Sequence, residues 1–288
     1  MGAAAAIRAH HPEAEITLLT SAPYAALGRA APYFDRVWID DRPHLAKPLA
    51  LLRLRQRLTS AGFARIYDLQ TSDRSSFYFH LMGPGARPEW SGIARGASHP
   101  HVNPARDHMH TLDRQADQLR AAGIAQVPPP DLAWAASDLA GIALPERLLL
   151  LVPGGAAHRP AKRWPVERFA ALAAYAAAAG VAAIVIGGAA EAALGAAIVA
   201  ACPTALDLTG RTSFGDLVAL GARALHAVGN DTGPMHLITA GGAPATVLYS
   251  AASDPALTAP RGPRVMVLQR ADLADLGVDE VAATFAFG

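Results

Sequence analysis

The feature that most constrains this chain is the run Leu148-Leu149-Leu150-Leu151-Val152, five aliphatic residues with no polar alternation. A strand with one face in water alternates apolar and polar side chains. A continuous apolar run needs cover on both faces, which is the condition of a parallel sheet layered between helices. Five more short strands are predicted after it, at 182–186 (AAIVI), 205–208 (ALDL), 224–228 (ALHAV), 245–249 (ATVLY) and 265–268 (VMVL). Helical stretches separate several of them, at 166–179, 191–202, 213–220 and 234–241. This alternation predicts an α/β fold with parallel strands joined by right-handed crossovers.

The first half reads the same way with weaker signals. Strands are predicted at 15–20, 36–40 and 65–70, and helices at 49–61, 75–82 and 106–122, the last closed by Gly123. Residues 84–103, rich in Gly, Pro and His, are expected to be an irregular loop. Val127-Pro128-Pro129-Pro130-Asp131 cannot lie inside a helix or a central strand. The expected organisation is two domains, 1–140 and 141–288, with a proline-rich connection between them.

Composition narrows the function classes. Of 288 residues, 52% are hydrophobic and 17% charged, enough apolar material for two cores and the opposite of a disordered chain. Lys and Arg number 25 against 24 Asp and Glu, a net charge of +1, so no nucleic-acid partner is expected. Cys202 is the only cysteine, which excludes an internal disulfide and fits a reducing compartment. No stretch of about 18 apolar residues runs uninterrupted, and the first six residues lack the basic start of a signal peptide. A cytoplasmic location is expected. His99, His101, His108 and His110 lack a zinc-ligand spacing, and no metal site is expected.

Two loops concentrate polar chemistry. After the Leu148 run come Pro153, Gly154 and Gly155, then His158, Arg159, Lys162 and Arg163, with Pro165 placed to open a helix. Glycines, cations and a helix start suit a phosphate group. The Gly-Lys-Ser/Thr ending of a P-loop is missing, and an ordinary loop with solvated cations is the alternative. After the strand at 224–228 comes Gly229-Asn230-Asp231-Thr232-Gly233-Pro234-Met235-His236. Asp231, Thr232 and the Gly233 N–H converge where ligands bind in open α/β sheets. The plainer reading is that Asp231 and Thr232 cap a helix and His236 packs.

These two segments resemble glycosyltransferase family 9, the ADP-heptose:lipopolysaccharide heptosyltransferases. The likeness rests on Pro153-Gly154, Pro160-Ala161-Lys162-Arg163-Trp164-Pro165 and the Asp231-Thr232-Gly233-x-x-His236 motif. Gly187-Gly188, Thr209 to Ser213 and Ser253-Asp254-Pro255 lie in the family's order around them. The resemblance implies a GT-B fold, two Rossmann-like domains whose parallel sheets face a cleft. It implies transfer of a heptose, with inversion, from a nucleotide-diphosphate donor such as ADP-heptose to a lipopolysaccharide-core-type acceptor.

By match to the family motifs, Lys162 contacts the donor phosphate, and Thr232 and Gly233 hold the pyrophosphate. Asp231 binds sugar hydroxyls with support from His236, and Gly154 lies in the phosphate loop. Glu191 takes the ribose, and Thr212 and Ser213 line the base pocket. No cofactor is implied beyond the donor substrate. The family places a strand and a Gly-Asp loop, whose Asp is the general base, ahead of the helix in which this sequence opens. No catalytic residue is therefore assigned. Asp68 and Asp73 are the alternatives within the chain, and a nucleotide-sugar-binding protein without transfer activity is the competing function. A membrane-held acceptor further implies peripheral membrane contact. Arg53, Arg55 and Arg57, with leucines between them, suit that contact or a solvated helix face.

Overall fold

In a computed structural model that describes residues 1–155, 160–262 and 264–287, the chain divides into two units, Met1–Pro130 and Asp131–Gly288. The first unit runs α1 (Gly2–His10), β1 (Thr17–Thr20), α2 (Ala25–Ala30), β2 (Arg36–Ile39), α3 (Pro48–Ser60), β3 (Arg65–Tyr67), α4 (Asp73–Met82), β4 (Glu89–Gly92), β5 (His99–Pro100) and α5 (Thr111–Ala121). Its strands form two parallel sheets, β1-β2 and β3-β4-β5. In register, Thr17 pairs with Arg36 and Arg65 pairs with Glu89. Leu58 of α3 packs with Tyr78, Phe79 and Met82 of α4 and with Trp90 of β4. A second cluster joins Ala3, Ala6 and Ile7 of α1 to Leu119 and Ile124. A reciprocal cap starts α4: Ser72 Oγ accepts from the Ser75 N–H, and Ser75 Oγ accepts from the Ser72 N–H.

The segment 84–103, expected to be irregular, contains β4 and β5. Those strands are four and two residues long and rich in Ser, Gly and Pro, so pairing with a neighbour rather than propensity makes them strands. Helix α5 also starts later than expected. Arg106–His108 is a single 3-10 turn, and His110 is the cap, its Nδ1 accepting the Leu112 N–H at 3.2 Å.

The second unit carries β6 (Leu148–Val152), α6 (Val166–Ala178), β7 (Ala182–Val185), α7 (Ala192–Ala201), β8 (Leu206–Asp207), α8 (Phe214–Arg223), β9 (His226–Asn230), α9 (Gly233–Ala240), β10 (Ala245–Tyr249), α10 (Pro255–Thr258), β11 (Val265–Gln269) and α11 (Val278–Ala282). One parallel sheet holds all six strands in the order β11-β10-β9-β6-β7-β8. Successive side chains of β6 point to opposite faces. Leu149 and Leu151 enter a core with Phe169 and Leu172 of α6, while Leu148, Leu150 and Val152 enter another with Leu217 and Leu220 of α8. Both faces are therefore apolar, and burying each leucine contributes about 1.5–3 kcal/mol before the entropy cost. Residues 131–140 pack on this unit, with the Ser137 N–H donating to the Gly215 carbonyl at 3.2 Å.

Candidate functional site

From β6 the second sheet grows outward through β7 to β8, and the chain then crosses back to lay β9 on the other side of β6. The strand order reverses there, and such a switch point is where open parallel sheets bind ligands, beyond the carboxyl ends of the strands. The two polar loops leave the sheet at this point, one after β6 and one after β9.

Asn230, the last residue of β9, ties them together. It is fully buried. Its Nδ2 donates to the carbonyls of Pro153 at 2.8 Å and Gly154 at 3.1 Å, and its Oδ1 accepts the Trp164 N–H at 3.0 Å. One amide thus satisfies three buried backbone groups on both sides of the first loop, a geometry that a hydroxyl or carboxylate cannot supply. The sequence does not show this role of Asn230, because its partners lie 66 to 77 residues away along the chain.

The next residue, Asp231, faces outward and accepts from Lys162 Nζ at 2.9 Å and from Ser253 Oγ at 2.8 Å. Burial acts to raise its carboxyl, but hydrogen bonds from Lys162 and Ser253 and the Lys162 charge hold it below the ordinary carboxylate range. Asp231 is therefore an anion paired with a largely covered ammonium. Beside the pair lies a cavity of about 230 Å³ lined by Lys162, Asp231, Ala252, Ser253, Asp254, Leu257 and Thr258. Ser253 is a site residue that the sequence offered only as part of a family motif.

Thr232 occupies the N-cap position of α9, yet its hydroxyl makes no cap bond, contrary to the plain capping reading. Thr232 Oγ1 is buried and unpartnered among the described residues. Gly233 follows as the exposed first residue of α9, with open space where a Cβ would stand. An unused hydroxyl and the positive end of a helix thus meet next to Lys162. His236 lies one turn further on, exposed. His158 and Arg159 lie outside the described residues.

Two neighbouring loops complete the edge. Glu191 folds back over the loop after β7, its Oε2 accepting the Gly188 N–H at 2.7 Å. A Cβ on Gly154 would stand 2.9 Å from Glu191 Cγ, so glycine lets the β6 loop approach this carboxylate. After β8 the Gly210 N–H donates to the Gly187 carbonyl at 2.8 Å, which joins the third loop to the second. Thr212 is half-buried there. Ser213 caps α8: its Oγ accepts the Asp216 N–H at 3.2 Å, and Asp216 accepts the Ser213 N–H at 2.8 Å.

The family model for glycosyltransferase family 9 (heptosyltransferase) matches residues 51–276, which include all four of these loops. The chain belongs to glycosyltransferase family 9. This family 9 chain is similar in structure to the E. coli ADP-heptose lipopolysaccharide heptosyltransferase II, at 21% identity and a TM-score of 0.76, over 98% of this chain and 92% of that one. The family 9 glycosyl transferase of Veillonella parvula gives 19% identity and a TM-score of 0.83, over 98% and 90%. E. coli heptosyltransferase WaaC with ADP gives 19% and 0.72, over 98% and 92%. At these identities the likeness is one of fold, the GT-B type. Comparison with curated proteins finds no match.

The remaining candidates of this glycosyltransferase fall as follows. Asp68, directly after β3, is 6% exposed; its Oδ1 accepts the Thr71 N–H at 3.0 Å, and its Oδ2 is buried without a hydrogen-bond partner among the described residues. Burial raises its carboxyl against the pull of its hydrogen bonds and Arg106. Asp73 is exposed in the first turn of α4, where it favours the helix dipole. Trp164 is a packing residue, its Nε1 donating to the Leu276 carbonyl at 2.9 Å and its ring edge-on to Phe169. His101 is buried against Asp117 at 2.9 Å. Among the described residues no group of three or more His, Cys, Asp or Glu is placed to hold a metal, and no helix is long and apolar enough to cross a membrane.

Proposed function

We propose that the second unit binds a nucleotide-diphosphate sugar, ADP-heptose in particular, and that the chain transfers the heptose with inversion to a lipopolysaccharide-core-type acceptor at the cytoplasmic membrane face. The observation that carries this reading is the unpartnered Thr232 hydroxyl at the start of α9, beside the Lys162–Asp231 pair. The diphosphate takes hydrogen bonds from Thr232 Oγ1 and the Gly233 amide. Lys162 exchanges Asp231 for a phosphate oxygen, which releases Asp231 to accept from sugar hydroxyls. Glu191 has one oxygen left for the ribose, while His236, Thr212 and Ser213 border the same edge. As the bond from the anomeric carbon to the diphosphate breaks, Lys162 and the positive end of α9 offset the charge gathering on the leaving group. These groups supply the positive charge themselves, so transfer is expected to continue in the presence of a chelator.

Calorimetric titration with ADP and UDP tests the donor assignment. ADP is expected to bind more tightly than UDP, and Lys162→Ala to weaken it at least about tenfold, the loss of one charge-assisted contact of about 1.5–3 kcal/mol. Absence of binding by a folded chain overturns the donor reading; equal binding of UDP overturns the adenine part of it.

A further inference from the structure

Helix α3 carries more leucine than its packing uses. Leu54 and Leu58 turn inward, against Tyr78, Phe79 and Met82. Leu49 and Leu52, three residues apart, project from the opposite face and are 70% and 58% exposed; Leu45, just before the helix, is 68% exposed. Among the described residues eight large apolar side chains are exposed, and three of them fall within residues 45–52. That is a patch rather than the scatter of single apolar residues found on any surface.

The charge around the patch is one-sided. No Asp or Glu occurs between Asp41 and Asp68, while six Arg or Lys do, in a chain whose net charge is +1. Arg55 is bound to the Leu81 carbonyl at 3.1 Å, and Arg57 lies over the Trp38 ring at 4.1 Å. Arg42, Lys47 and Arg53 are exposed around the leucines. A helix face of leucines ringed by cations suits an interface in which the apolar groups enter the acyl boundary and the cations meet anionic headgroups. A second copy of the same face would bring like charges together.

We propose that the Leu45–Leu49–Leu52 face, with Arg42, Lys47 and Arg53 around it, docks the chain on an anionic lipid surface. The inference deepens the reading of a membrane-held acceptor but is tested without nucleotide, so its failure and that of the donor assignment are distinguishable. The test is flotation of the full chain with vesicles of phosphatidylcholine, with and without phosphatidylglycerol, at low and high salt. Binding is expected on the anionic vesicles, weakened by salt and slight on pure phosphatidylcholine. Leu45→Ser/Leu49→Ser/Leu52→Ser together should lower partitioning at least about tenfold. Lys47→Glu/Arg53→Glu should also lower it at least about tenfold on anionic vesicles. Thermal melting should be unchanged in both variants, because none of these side chains is in the core. Three results overturn the proposal: no binding of the parent chain to anionic vesicles, equal binding by the leucine variant, or a concentration-dependent dimer that the leucine substitutions disperse.

Discussion

In the second unit β6 lies between β7 and β9, and every residue of β6, β9 and β10 is buried. In the first unit β1 pairs only with β2 and β3 only with β4, and none of the residues of β1 or β3 is fully buried. The two units share the same strand–helix alternation, but β6 is aliphatic throughout (LLLLV), whereas β1 (TLLT) and β3 (RIY) are short and carry polar residues. A parallel strand becomes a core element when helices cover both of its faces, as α6 and α8 cover β6. The polar loops of the second unit rise from such strands, and that is why one buried amide, Asn230, can hold two of them in register. The corresponding edge of the first unit grows from short, half-buried strands, and its polar residues are held by local caps such as Ser72 and by side chains of α5, with Gln118 Nε2 donating to the Asp68 carbonyl at 2.9 Å.

The largest test of this contrast is core truncation. Leu150→Ala in β6 is expected to cost about 4 kcal/mol, and Leu19→Ala in half-buried β1 about 1 kcal/mol, read from urea midpoints. Equal costs would break the comparison. Next comes pH. His226, at the start of β9, donates to or accepts from Thr246 Oγ1 at 2.8 Å and stacks on Phe285. Burial pushes its imidazole down from 6.5 to about 4. The unfolded chain takes up this proton below about pH 6.5 and the folded chain only near pH 4. Stability should therefore fall as pH drops through that window, by up to about 3 kcal/mol, and level off below it. Hydrogen exchange should locate the loss in the second unit, and His226→Gln should flatten the slope; an unchanged slope sinks the assignment. The smallest effects separate two hydroxyls at helix starts. Ser213→Ala removes a working cap of α8 and should cost about 1 kcal/mol. Thr232→Val, at a hydroxyl with no partner, should change stability by less than about 0.5 kcal/mol while weakening ADP binding. A stability loss on Thr232→Val equal to that of Ser213→Ala would make Thr232 an ordinary cap.

All six strands of the second unit were legible within a few residues, because a continuous aliphatic run bounded by glycine or proline is a local signal. So were the two loops, since Pro153-Gly154-Gly155 and Asp231-Thr232-Gly233 announce themselves by residue type. Strands β4 and β5 were not legible, because Trp90-Ser91-Gly92 and His99-Pro100 have no strand character apart from their partners. The outward leucines of α3 were hidden by their number: with leucine at 49, 51, 52, 54 and 58, the sequence does not say which are in excess.

What the sequence determined by itself was the alternation of strand and helix, the apolar character of both faces of β6, and the types of group available to a phosphate. Only the tertiary structure decided that β9 returns beside β6, that Asn230 reaches back 77 residues to Pro153, that Ser253 joins Lys162 on Asp231, and that Thr232 keeps its hydroxyl unused. The physical reason is range. Propensity and periodicity act over one or two turns of chain, whereas sheet order and buried hydrogen bonds are settled between segments that meet only when the core closes.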